Sequence, residues 1–187
     1  MQDTALDTSQ DATLYILDAD GNDAVAPRNG TWARWSPDGR TLYCNCATTL
    51  AADDCRWMAI DVTSGVSTPL LISSGARPSV SPDGLLAYDD GEDTPGVYVL
   101  DPRKPGSRPR FVARAAIAPI WLSPSRLAFT NTRPCPRTED ECLVGGHGSM
   151  FEPAGTAAAF DLTTNRRTPL PPIPTEDADT SPSSSAG

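Results

Sequence analysis

Val80-Ser81-Pro82-Asp83-Gly84, followed by Leu85-Leu86-Ala87-Tyr88, is the stretch whose reading decides the fold. Ser and Asp side chains bond nearby backbone amides, and Pro presets φ near about −65° at the second turn position. Gly then tolerates the left-handed conformation that closes the bend. Such a phrase joins two strands. The flanking runs are short and rich in Leu, Val and Tyr, which suits strands rather than helices.

Working outward, the phrase recurs. Trp35-Ser36-Pro37-Asp38-Gly39 precedes Leu42-Tyr43, and Leu122-Ser123-Pro124 precedes Leu127-Ala128-Phe129; the three serines stand 45 and 42 residues apart. Each phrase is followed by an apolar run ending in aspartate: Trp57 to Asp61, Val97 to Asp101 and Ala157 to Asp161. A fourth run, Leu14 to Asp18, has no such phrase before it. The aspartates lead into second turn signals, among them Ala19-Asp20-Gly21-Asn22 and Thr163-Thr164-Asn165, and another short strand follows each. Four antiparallel strands over about 40 residues is the period of a propeller blade; the strands of sandwiches do not repeat in sequence. The expectation is an all-β chain, a β-propeller of four-stranded antiparallel blades numbering about three and a half. The blades span 13–170, between a disordered N-terminus (1–12) and a disordered Pro/Ser-rich tail (171–187) that cannot bury enough apolar surface to order itself.

Ser-Pro-Asp-Gly with an apolar pair and an aromatic, then Tyr15-Ile16-Leu17-Asp18-Ala19-Asp20-Gly21-Asn22, resembles the repeat of TolB-type propellers. The propellers of prolyl oligopeptidase-type enzymes share that repeat. The resemblance covers roughly Thr13 to Leu170, and its specificity rests on recurrence. In the third copy Ser125-Arg126 stands where the others have Asp-Gly, so that bend should be tighter or irregular. With the phrase as the turn between strands a and b, the aspartate-ended run is strand c. The resemblance then implies that the b–c loops and blade-to-blade connections share one face of the disc. It also implies a gating role in oligopeptidase-type enzymes, where a separate α/β-hydrolase domain carries the nucleophile. This chain contains no such domain.

Charge and composition narrow the function. The 187 residues carry a net charge of −9, which repels phosphate backbones, and no basic patch offsets it. Nucleic acid is therefore rejected as a partner. No stretch approaches the roughly 18 consecutive apolar residues of a membrane span, and the polar start Met1 to Asp11 lacks the plan of a signal peptide.

The b–c loops are acidic. Asp53 and Asp54, then Asp89, Asp90, Glu92 and Asp93, then Glu139, Asp140 and Glu141 would gather along one rim. The functional reading is a face for a basic protein surface or for calcium; the competing one is a set of solubilising loops, since no loop has the full calcium-ligand spacing. No metal or other cofactor is expected. Asp18-Ala19-Asp20-Gly21-Asn22 lacks the length and terminal Glu of an EF-hand and reads as a hairpin turn.

Five cysteines cluster on the same side. Cys135 with Cys142, and Cys46 with Cys55, are the disulfide candidates, and Cys44 shares a strand face with Cys46. That usage favours an oxidising compartment: periplasm, cell envelope or outside the cell. Zinc on Cys135, Cys142 and His147 is the weaker rival. Among the tryptophans, Trp35, Trp57 and Trp121 are expected between blades, while Trp32, the least committed, is the candidate for the binding rim or for stacking a sugar. Asn29-Gly30-Thr31 matches a glycosylation acceptor.

No catalytic constellation is found. His147 is the one histidine, in a glycine-rich loop without the strand-turn-helix setting of a nucleophile elbow, and phosphate loops are absent. The expected function is a non-catalytic module for protein–protein interaction or assembly, needing a protein partner or further propeller strands. The alternatives are a carbohydrate-binding propeller and the substrate-gating propeller of a hydrolase whose catalytic domain is absent.

Overall fold

The structure, a computed structural model, describes residues 13–47, 56–72, 78–90, 95–104, 106–134 and 151–171. The expected disordered termini lie outside these residues, apart from Pro171.

Thirteen antiparallel strands run in chain order among the described residues, with no helix. β1 (Thr13–Leu17) pairs with the first half of β2 (Asp23–Trp35). The second half of β2 pairs with β3 (Thr41–Cys46), followed by β4 (Arg56–Asp61) and β5 (Ser67–Pro69). A second sheet is the meander β6 (Ser79–Val80), β7 (Leu86–Asp89), β8 (Gly96–Leu100) and β9 (Arg110–Arg114). A third is β10 (Ala116–Ser123), β11 (Arg126–Pro134), β12 (Phe151–Asp161) and β13 (Arg166–Pro169). Because β2 is the outer strand of one unit and the inner strand of the next, the sequence's fourteen strand segments appear as thirteen elements.

The handover within β2 falls on Gly30. Asn29 is the last residue of β2 opposite β1, facing Thr13, and Gly30 is the first opposite β3, facing Cys46. A Cβ on Gly30 would lie 2.3 Å from the Cys46 Cβ, so only glycine lets the two backbones approach this closely.

The a–b turns form as their residues dictate. Ser36 Oγ accepts the Thr41 amide (2.9 Å) and donates to Asp38 (2.6 Å), while Gly39 takes φ 69°. Ser81, almost fully buried, accepts the Leu85 amide at 2.8 Å, and Gly84 takes φ 81°. In the third sheet Ser123 pairs directly with Arg126, and the register slips between Trp121 and Ser123. That is the tighter bend expected where Asp-Gly is replaced.

The c–d turns share one device. The aspartate ending each c strand accepts backbone amides two to four residues ahead: Asp18 from Asp20 and Asn22, Asp61 from Thr63 and Ser64, Asp101 from Arg103, and Asp161 from Thr163 and Thr164.

The sheets then stack face to face in chain order. Ile16 and Val25 of the first pair pack on Leu42, Cys44, Met58 and Ile60 of the first full sheet. Its opposite side, through Tyr43 and Trp57, packs on Leu86, Tyr88 and Leu100 of the second sheet. The second sheet offers Ala87, Val97, Val99 and Ala113 to Leu127, Phe129 and Phe160 of the third. The first full sheet and the second alternate residues between two neighbours, which is why their central strands are buried on both sides. Among the described residues the row does not close into a ring.

Candidate functional site

The expected recognition rim is partly within the described residues. Asp89 ends β7 and Asp90 follows it, and both carboxylates are engaged: Asp89 Oδ2 accepts the Ala118 amide of the third sheet at 3.0 Å, and Asp90 Oδ1 accepts the Gly96 amide at 2.9 Å. Asp89 thereby ties the second sheet's loop to the inner strand of the third. Asp53, Asp54, Glu92, Asp93, Glu139, Asp140 and Glu141 lie outside the described residues, as do Cys55, Cys135, Cys142 and His147. Among the described residues no group of three or more His, Cys, Asp or Glu side chains could hold a metal ion.

Cys46 corrects one expectation. Its sulfur is bonded to that of Cys44, with Cα atoms 5.4 Å apart, and both residues are fully buried, so Cys46 is not paired with Cys55. A shared strand face two residues apart already places the two side chains together.

Backbone conformation marks the same rim. Trp32, Ala115 and Ala118 all have φ between 51° and 55°, a region that costs a residue bearing a Cβ. Trp32 lies in the bulge of β2 between Thr31 and Arg34; Ala115 and Ala118 flank and interrupt the start of β10, where the β10–β11 register shifts. All three stand where the chain enters an inner strand. Trp32 is 46% exposed. Asn29 sits half-buried within β2, its carbonyl accepting the Ala47 amide, rather than at a loop tip where a glycan acceptor would stand.

The other tryptophans divide. Trp57 is fully buried between the first and second sheets, and Trp121 packs between the second and third, its indole donating to the Ser79 carbonyl at 3.1 Å. Trp35 is 51% exposed, contrary to expectation. Ala33, two residues earlier on the same strand face, packs against the β1–β2 pair. That pair has no inner strands among the described residues, so nothing in it extends as far as Trp35.

Other uncovered apolar side chains stand on the outer sides of the row. Tyr15 and Leu17 alternate with the packed Leu14 and Ile16, and Ile120 (57% exposed) and Leu122 (50%) flank Trp121. Between the sheets, burial and the neighbouring Tyr98 ring push the Tyr88 phenol well above the usual tyrosine range, and its hydroxyl donates to the Leu71 carbonyl. The neutral phenol is a structural donor.

The turn-capping aspartates and the left-handed rim residues were not read as such from the sequence. The recurrence of Asp at the end of every c run was the available signal for the first; nothing in the local sequence marks Trp32 or Ala118 as left-handed.

No family model matches the chain, and no curated protein does. Among solved structures, a puromycin-hydrolysing peptidase of Mycobacterium tuberculosis aligns over 78% of this chain and 24% of its own, at 17% identity and TM-score 0.49. An acylaminoacyl peptidase of Pyrococcus horikoshii aligns over 78% and 22%, at 13% identity and TM-score 0.42. An acylaminoacyl peptidase in complex with Z-Gly-Gly-Phe-chloromethyl ketone aligns over 78% and 23%, at 14% and 0.41. The chain thus spans about a quarter of the length of each. A likeness of this size assigns no activity.

Proposed function

We propose that the chain is a non-catalytic module of β-propeller type, with TolB-like blades, that serves protein–protein interaction or assembly outside the cytoplasm. The observation that carries this reading is the serial stacking of four-stranded meanders with apolar side chains uncovered on both outer sides of the row: Tyr15 and Leu17 at one, Ile120 and Leu122 at the other. Scattered exposed apolar residues are ordinary, but paired patches on the two sides that continue a stack are places for a further protein surface. The acidic rim is the second recognition element, steering a basic partner through its field.

The test replaces Asp89, Asp90, Glu92 and Asp93 together by Asn or Gln and measures partner binding across ionic strength. Binding that weakens with salt in the parent and collapses in the variant supports rim recognition; unchanged, salt-independent binding removes it. Hydrolysis of acyl or peptide substrates by the purified chain would overturn the non-catalytic part.

One observation favours a carbohydrate-binding alternative: an exposed indole, Trp32, held in a strained backbone at the rim. Glycan binding abolished by Trp32→Ala would establish it in place of the protein partner.

A further inference from the structure

We infer that the partner of the row's outer sides is a second copy of the same chain, added head to tail, a deepening that rests on the propeller-type reading above. Among the described residues the contacts between sheets run in one direction, each unit laying one face on the next. The first unit, β1 with the start of β2, leaves Tyr15 and Leu17 on its outer side, and the third sheet leaves Ile120 and Leu122 on its own. Those two sides differ in chemistry, so the contact that continues the stack is heterologous: the first unit of one copy on the third sheet of another.

Charge fits this order. A recurring inter-sheet contact sends an arginine from the outer strand of one unit onto the c–d turn of the next: Arg28 bonds the Gly65 carbonyl at 3.4 Å, and Arg110 bonds Asn165 and the Leu162 carbonyl. The outer strand of the third sheet carries an exposed Arg166, with an exposed Arg126 two strands away on the same cross-strand row through Asp161. The turn that would follow it in a second copy is the exposed, acidic one between β1 and β2, which bears Asp20 and leads into Asp23 at the start of β2. Opposite charges thus meet head to tail, whereas like ends would set aspartates against aspartates and arginines against arginines.

The experiment follows the purified chain by light scattering and sedimentation over concentration and ionic strength. Association that rises with concentration and falls with salt is expected. Asp20→Arg with Asp23→Arg should weaken it at least about tenfold, as should Arg126→Glu with Arg166→Glu, and mixing the two variants should restore it because each then offers one matching pair. Association indifferent to both reversals overturns the inference, as does a chain that stays monomeric at every concentration. Hydrogen exchange separates the two failures. A monomer with protected amides in β7, β8 and β11 loses only the self-association; a monomer without that protection loses the stacked-sheet reading as well.

Discussion

Trp121 and Trp35 occupy the same place in two units. Each faces, across the inner pair of strands, the first leucine after the turn: Trp121 opposite Leu127, Trp35 opposite Leu42. Trp121 is packed on the second sheet and bonded to the Ser79 carbonyl, whereas Trp35 is half in solvent. The leucines, by contrast, are both buried. The difference lies in the neighbour. Trp121 meets a sheet with an inner strand, β6; Trp35 meets a unit of two outer strands among the described residues. Burial at an inner position is therefore a property of the adjacent sheet, not of the residue's own strand.

The largest expected effect tests this directly. Trp121→Ala removes a packed ring and leaves the Ser79 carbonyl without that donor, so it should cost on the order of 3 kcal/mol in urea unfolding. Trp35→Ala should cost under about 1 kcal/mol in the monomer. Equal costs would break the comparison. A Trp35 cost that grows with protein concentration would sharpen it, since it would mean that another surface covers this ring on association.

That contrast also says what the sequence could carry. Strand number and order, both kinds of turn and the burial of Trp57 and Trp121 follow from a local rule repeated along the chain, because turn chemistry and period-two alternation act over a few residues. The tighter third bend was legible from Ser125-Arg126 alone. The exposure of Trp35 was not, since it depends on strands remote in sequence. Nor was the engagement of Asp89: its partner, the Ala118 amide, lies 29 positions on and is turned toward it by a left-handed backbone. Read as a free rim charge, Asp89 is also a tie between sheets. Cys46 misled for the opposite reason, its partner being nearer in sequence than the loop cysteine it was matched with.

A second prediction concerns the join between the two compared regions. Gly30→Ala forces a Cβ against Cys46 at the point where β2 changes partner, and the contact is with backbone-proximal atoms that cannot rotate away. A cost of roughly 2 kcal/mol or more is expected, with m-value unchanged if the units still unfold together. Should the β1–β2 pair instead detach while the three sheets hold, its amides alone would lose hydrogen-exchange protection. That outcome would show the first unit to be an appendage rather than part of one cooperative stack. Gly21, whose Cβ would meet nothing within 4 Å, is no control, because its φ of 84° strains any replacement.

The smallest effect compares the c–d turns. Asp161 has the most depressed carboxyl, held at about 2 by the Thr163 hydroxyl and then by the Thr164 and Thr163 amides. Asp18, Asp61 and Asp101 are also lowered from the ordinary value near 3.8, by the Asn22 amide, the Ser64 amide and hydroxyl, and the Arg103 side chain, respectively. A carboxyl whose folded pKa lies below its unfolded one binds fewer protons in the folded state. Its contribution is therefore present in full above about pH 4 and disappears as the pH falls through the folded value near 2. Asp161→Asn keeps an acceptor for the turn but removes the titration, so it should lower stability slightly at neutral pH and flatten the acid limb between about pH 4 and 2. Because the Asp161 turn also receives Arg110 from the second sheet, the variant tests whether an exposed turn at the end of the row is coupled to the stack behind it. If chemical denaturation across that pH window gives the same limb for parent and variant, the turn caps are local ornaments of each hairpin, and sheet-to-sheet packing alone sets the acid stability of the chain.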